Sequence, residues 1–259
     1  MCHDDCQAPV RGGDALEEIQ VEIPLASGTL PATFVVPDSA PAPAVLILHD
    51  INGVNDFYRD LARRLALAGY AALLPDLFHV YGPLPDDSRE ARFARMQATE
   101  QATTLTEIEL AHLWLRDHEL TTGANATIGF CMGGTLALLG ASRYPAPAAT
   151  IAYYGFPNRE RTPTAPIVPI DENEVAGLES PILAFWGTED AGVGMDNVDA
   201  YDAKLTRYGK EHEFVRYDGL PHGFLTFDES SPNFEGSADS WKRTLAFMEA
   251  RLAGAGSGQ

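Results

Sequence analysis

The chain has 259 residues, and its 37 acidic against 18 basic side chains leave a formal net charge of −19. That length suits one large α/β domain with a full core, and 45% hydrophobic with 21% charged residues excludes an extended disordered chain. The acidic excess argues against binding nucleic acid or docking on an anionic membrane, because little here would neutralise rows of phosphates.

Three cysteines, two of them at positions 2 and 6, exclude a disulfide framework. Residues 1–7 are polar and acidic, unlike a secretory leader, and no apolar run approaches a membrane span. The expected setting is therefore cytoplasmic and reducing.

Residues 20–23 and 32–36, around the Ser27-Gly28 turn, predict an antiparallel hairpin. The apolar run 44–48 predicts a buried strand, 55–68 a helix, and 70–74 a strand stopped by Pro75. A polar loop over 76–88 leads into helical periodicity over 89–120, as two helices or one that bends. A short strand at 126–128 precedes a helix at 133–143. Strands follow at 148–153, 182–186 and 213–217, and helices at 197–208 and 237–252. The Pro-rich run 157–169 reads as a surface excursion. Strands alternating with helices give a mostly parallel twisted sheet with helices on both faces, in a single domain over 13–252. Residues 1–12 and 253–259 read as poorly ordered ends.

The sharpest motif is Ile128-Gly-Phe-Cys131-Met-Gly-Gly134, a strand, tight turn and helix with a thiol at the centre of G-x-C-x-G. Such a turn demands small residues two before and two after the nucleophile, because strand and helix backbones nearly touch. The helix N-terminus favours a thiolate at Cys131, and the Met132 N–H points where an oxyanion would form. The motif alone fits equally a buried cysteine packed beside glycines.

An elbow nucleophile needs a histidine and an orienting carboxylate, in the order nucleophile, acid, histidine. After Cys131 come only His212 and His222. His212, among charged residues at a strand start, reads as solvent-facing, whereas His222 in Gly219-Leu-Pro-His222-Gly-Phe224 follows a strand end, where parallel sheets place their sites. Asp190 in Trp186-Gly-Thr-Glu-Asp190 is the candidate acid, with Glu189 its competitor. The loop Leu48-His-Asp50-Ile51-Asn-Gly53 follows the first parallel strand and makes the Ile51 N–H the second oxyanion donor. Position alone assigns Asp50 to capping or solvation, and His49 to a backbone carbonyl.

These stretches, with Tyr153-Tyr-Gly155, Gly69-Tyr70 and Pro75-Asp-Leu77, resemble the dienelactone hydrolase (carboxymethylenebutenolidase) family of α/β-hydrolases, over residues 20–252. The resemblance implies an α/β-hydrolase fold and a Cys131–His222–Asp190 triad that cleaves an ester or lactone through a thioacyl-enzyme, without metal or cofactor. It also implies that the carboxylate of Asp50, where the family usually has Glu, gates the thiol. Family members acting on dienelactone carry two arginines that grip the substrate carboxylate, and the aligned positions here are Val80 and Thr226. Arg89, Arg92 and Arg95 on the next helix read as a solvated face. With the charge of −19, the missing guanidiniums tilt the expected substrate toward a neutral ester or lactone.

Phe130, Tyr153, Trp186 and Phe224 flank the site as candidate pocket walls. Two alternatives stand beside this reading: a general carboxylesterase with a different pocket, or a non-catalytic protein sensing a small ligand or redox state through Cys131. Cys2-His3-Asp-Asp-Cys6 offers too few ligands for a closed zinc site. No nucleic-acid or membrane partner is expected, and the assembly is a monomer or small homo-oligomer.

Overall fold

Eight strands form one sheet in the order β1-β2-β4-β3-β5-β6-β7-β8, in a computed structural model that describes residues 3, 6–143, 145–157 and 171–253. The strands are β1 (Glu18–Pro24), β2 (Thr29–Val35), β3 (Ala42–Leu48), β4 (Ala71–Pro75), β5 (Thr121–Phe130), β6 (Ala149–Tyr153), β7 (Ile182–Gly187) and β8 (His212–Tyr217). β1–β2 is the expected hairpin, and β2 also pairs antiparallel with β4. Every other neighbouring pair is parallel. The chain winds from β3 to β4 on one side and later crosses to β5 on the other. The carboxyl ends of β3 and β5 thus flank the point where winding reverses, the usual crevice of such sheets.

The helices are α1 (Asp56–Leu67), α2 (Arg89–Ala98), α3 (Gln101–Asp117), α4 (Met132–Gly140), α5 (Glu172–Gly177), α6 (Met195–Arg207) and α7 (Phe234–Leu252). Asn55 starts α1 by accepting the Tyr58 N–H on its side chain, and Ser88 starts α2 by accepting that of Ala91. The periodicity over 89–120 resolves into α2 and α3, broken at Thr99 and Glu100, both in extended conformations. The side-chain period of two puts helices on both faces. Thr127 of β5 meets His112 of α3, while Tyr153, paired with Phe130 three residues beyond Thr127, reaches Thr244 of α7.

Two elements differ from expectation. β5 is ten residues long rather than a short strand, because its first half continues the ladder to β3 across a bulge. The short α5, held by a capping box between Asp171 and Glu174, carries too little apolar pattern to stand out in the sequence. Of the Pro-rich run 157–169, residues 158–169 lie outside the described residues. No helix among the described residues is long and apolar enough to cross a membrane.

Candidate active site

The Gly-Phe-Cys-Met-Gly run forms a sharp turn. β5 ends at Phe130, α4 begins at Met132, and Cys131 between them has φ 53° and ψ −112°. A left-handed φ on a non-glycine residue is strained and persists only where its surroundings fix it. Here the Cys131 N–H donates to the Tyr153 carbonyl at 3.0 Å, and its carbonyl accepts from the Thr135 N–H at 3.0 Å and hydroxyl at 3.2 Å. The backbones around it leave no room for side chains. A Cβ on Gly129 would lie 2.1 Å from the Gly133 carbonyl oxygen, and one on Gly133 would lie 2.1 Å from that of Leu48. Cys131 is 5% exposed, and Met132 offers the first N–H of α4.

Asp190 and His222 meet at the same end of the sheet. Asp190 follows β7 and is buried. Its Oδ1 accepts the Val193 N–H at 3.0 Å, and its Oδ2 accepts His222 Nδ1–H at 2.6 Å. That bond fixes the imidazole tautomer and leaves Nε2 to accept a proton. Glu189 is exposed, so of the two adjacent carboxylates only Asp190 reaches the histidine. The His222 ring lies 5.0 Å from that of Tyr154 and 5.5 Å from that of Phe156. His212, expected to face solvent, is instead packed at the far end of β8. Its Nε2 is 3.0 Å from Asp202, and its Nδ1 is on the Lys210 carbonyl.

The loop after β3 is pinned from several sides. His49 donates from Nδ1 to the Asp50 carbonyl at 2.7 Å and accepts the Leu77 N–H on Nε2 at 3.1 Å, stapling this loop to the one after β4. Both bonds need the neutral ring, and burial pushes His49 down to about 4. Asp50 is buried; its Oδ1 accepts the Asn52 N–H at 2.7 Å, its Oδ2 the His3 N–H at 2.8 Å, and its own N–H donates to the Tyr58 hydroxyl. Ile51 is 6% exposed. Its carbonyl and that of Asn52 each accept from Arg95 at 3.2 Å, and the Arg95 guanidinium lies 4.1 Å from the Phe78 ring centroid. Arg95 therefore braces this loop rather than standing on a solvated face.

Phe130, Tyr153, Trp186 and Phe224 are all fully buried. Tyr153 bonds through its hydroxyl to Thr244, the Trp186 indole N–H donates to the Gly155 carbonyl, and Phe130 stacks on Tyr153. Phe130, Tyr153 and Phe224 pack together at the carboxyl ends of the strands. His3 also stands at this end of the sheet, against Phe57, Phe130 and Tyr154. It is 8% exposed, stacked on Phe57, and bonded through Nε2 to the Tyr154 hydroxyl. No pattern in residue type announces this, because an isolated histidine near a terminus carries no periodicity. Cys2, Asp4 and Asp5 of the possible zinc segment lie outside the described residues, as does 254–259 of the expected loose tail. Cys6 lies against Asp60, and burial followed by that carboxylate pushes its thiol up to about 11.

Comparisons with known proteins bear on the family and the fold. The profile of the Dienelactone hydrolase family matches residues 30–252. A carboxymethylenebutenolidase of Rhodococcus opacus is 31% identical over 256 residues, covering 97% of this chain and 98% of its own. A Bradyrhizobium protein named as a probable 2-oxo-3-(5-oxofuran-2-ylidene)propanoate lactonase is 29% identical, covering 82% and 85% respectively. A solved Klebsiella pneumoniae structure, provisionally assigned as a dienelactone hydrolase, superposes with a TM-score of 0.81 at 28% identity, covering 90% of this chain and 98% of that one.

Proposed function

From the premise that the chain belongs to the dienelactone hydrolase family, α/β-hydrolase-fold enzymes acting on esters or lactones, we propose that it cleaves a small uncharged ester or lactone through a Cys131–His222–Asp190 triad. Cys131 gives its Sγ proton to His222 Nε2 as the sulfur attacks the carbonyl carbon. The developing oxyanion takes hydrogen bonds from the Met132 and Ile51 N–H groups. Collapse breaks the C–O bond, and the leaving alkoxide takes the proton back from His222 Nε2. Water, deprotonated by the same nitrogen, then attacks the thioester, and the acid leaves as the thiol is restored. Asp190 holds Nδ1–H throughout and stabilises the imidazolium. Asp50 acts beside the thiol to govern when it ionises.

One observation carries the reading: a buried carboxylate 2.6 Å from a histidine on the loop after β8, at the sheet end where a cysteine stands in a strained elbow. The substrate charge is argued from the pocket. The two relatives are named for lactones that carry a carboxylate, yet the positions where the family resemblance expects gripping arginines hold Val80, which is 68% exposed, and Thr226. Arg95 is engaged on the β3 loop. A reducing, cytoplasmic setting goes with a thiol nucleophile.

Hydrolysis of p-nitrophenyl acetate and of neutral and carboxylate-bearing five-membered lactones tests the reading. Cys131→Ala and prior iodoacetamide treatment should each abolish turnover, and neutral lactones should outpace anionic ones. Full activity in Cys131→Ala would overturn the triad, and faster turnover of anionic lactones would overturn the substrate assignment.

A further inference from the structure

His3 is held through its main-chain N–H, its carbonyl and its ring Nε2. Its N–H donates to Asp50 Oδ2 at 2.8 Å, and its carbonyl accepts from the side-chain amides of Asn52 at 2.8 Å and Asn55 at 2.6 Å. Its ring lies face to face on Phe57, centroids 3.6 Å apart and planes within 2°. Edge contacts to Phe130 at 5.9 Å and the bond from Nε2 to the Tyr154 hydroxyl complete its surroundings. The Tyr154 ring is in turn 5.0 Å from that of His222. Beyond His3, the chain is tied along α1. The Val10 N–H donates to Asp60 at 2.7 Å, and the Ala8 carbonyl accepts from Arg64.

A residue anchored through both main-chain groups is a fixed part of its surroundings, since three such bonds at about 1 kcal/mol each outweigh the entropy of ordering one side chain. We infer that His3 is a specificity-determining residue of this site, a wall brought in by the N-terminal segment that limits the pocket beside Tyr154 and His222 to small, uncharged substrates. The size limit follows from its place, because the ring is fixed between Phe57 and Tyr154, whose own ring adjoins His222, so a longer acyl group extending that way would meet it. The charge preference follows from its neutrality. Burial first, and the neighbouring His222 second, push its imidazole down to about 3. It therefore offers a carboxylate no cation at any working pH, and the acidic Asp50 stands directly behind it. The inference rests on the triad reading above.

The test compares p-nitrophenyl acetate with p-nitrophenyl hexanoate, in enzyme whose turnover has been shown to require Cys131. His3→Ala should raise the hexanoate-to-acetate ratio of kcat/KM by about tenfold or more, the scale on which a pocket discriminates small apolar differences. The change should come mainly through KM. His3→Phe, which restores a ring on Phe57, should return the ratio to within about twofold of wild type. His3→Gln, which keeps a polar partner for Tyr154 but no ring, should behave as His3→Ala does and serves if the alanine variant fails to fold. The rate of Cys131 alkylation by iodoacetamide, followed by mass spectrometry without ester, reports an intact thiol separately. An unchanged ester ratio in His3→Ala and His3→Gln, with alkylation normal, would overturn the wall. Loss of Cys131-dependence in the wild type would instead overturn the triad.

Discussion

Asp190→Asn is the most exacting perturbation of the proposed triad, because it changes one proton-bearing group and almost no volume. In the wild type each carboxylate oxygen accepts one N–H, Oδ2 from His222 at 2.6 Å and Oδ1 from Val193 at 3.0 Å, and the side chain is fully buried. An amide in its place must turn its NH2 toward one of these donors. Facing Val193, it would set two buried donors against each other, costing about 1–3 kcal/mol. Facing His222, it can be accommodated, since a neutral imidazole can move its proton from Nδ1 to Nε2. The second arrangement wins, and Nε2 then carries a proton and cannot accept one from Cys131. The expected loss in kcat is about 10³–10⁴-fold, equivalent to about 4–5 kcal/mol of transition-state stabilisation. Initial rates on p-nitrophenyl acetate measure it, with thermal unfolding as the control for folding. Glu189→Gln, at the exposed neighbour, should stay within about twofold of wild type. Retention of more than one-tenth of kcat in Asp190→Asn, or an equal loss in Glu189→Gln, would refute the assignment.

Gly133→Ala would drive a Cβ to 2.1 Å from the Leu48 carbonyl oxygen and 2.6 Å from that of His49. It should lower the Tm by about 6–12 °C, the shift for about 3 kcal/mol of overpacking in a domain of this size. Gly177→Ala, where nothing lies within 4 Å, should leave the Tm unchanged or slightly raised, and equal melting of the two variants would contradict the close-contact argument. His112 donates from Nδ1 to Asn125 and accepts from Thr127 on Nε2, and burial pushes it down from 6.5 to about 4. The unfolded chain therefore takes up its proton below about 6.5 while the folded chain does not. Stability should fall from there to about pH 4 by on the order of 3 kcal/mol for this residue. Urea unfolding at a series of pH values should lose about one proton of slope in His112→Gln, and an unaltered slope would refute this.

The sheet, its hairpin and the strand ends could be read from the sequence because alternating strand and helix periods leave few topologies. The glycines around Cys131 specify the turn from chemistry alone. Asp190 is the candidate acid in the sequence, yet Glu189 stays its competitor there, because both follow the same Gly-Thr turn and only the direction of the chain after β7 separates them. His3 and Arg95 were invisible for a different reason. Each acts on the β3 loop from far away in sequence, through bonds to main-chain carbonyls or to Asp50, and such bonds leave no pattern in residue type. The partners of Tyr153 and Trp186, Thr244 and the Gly155 carbonyl, come from distant segments and leave no mark in the sequence.

Cys131 and Tyr154 are the non-glycine residues with left-handed φ among the described residues, at 53° and 42°. Each stands one position past the end of its own strand, β5 and β6, beside a parallel neighbour. The Cys131 N–H donates to Tyr153 at the end of β6, and the Tyr154 N–H donates to Phe185 of β7 at 2.7 Å. The ladder thus holds one residue beyond each strand while the chain turns away, which offsets strain of about 1–3 kcal/mol at each position. The same ladder that turns the proposed nucleophile out of its strand sets the Tyr154 ring beside His222 and its hydroxyl on His3. Loosening the β5–β6 register would therefore disturb nucleophile, base and wall together. A change at His3 breaks no ladder bond, so substrate preference can drift at the N-terminal segment while the reaction stays fixed by the sheet.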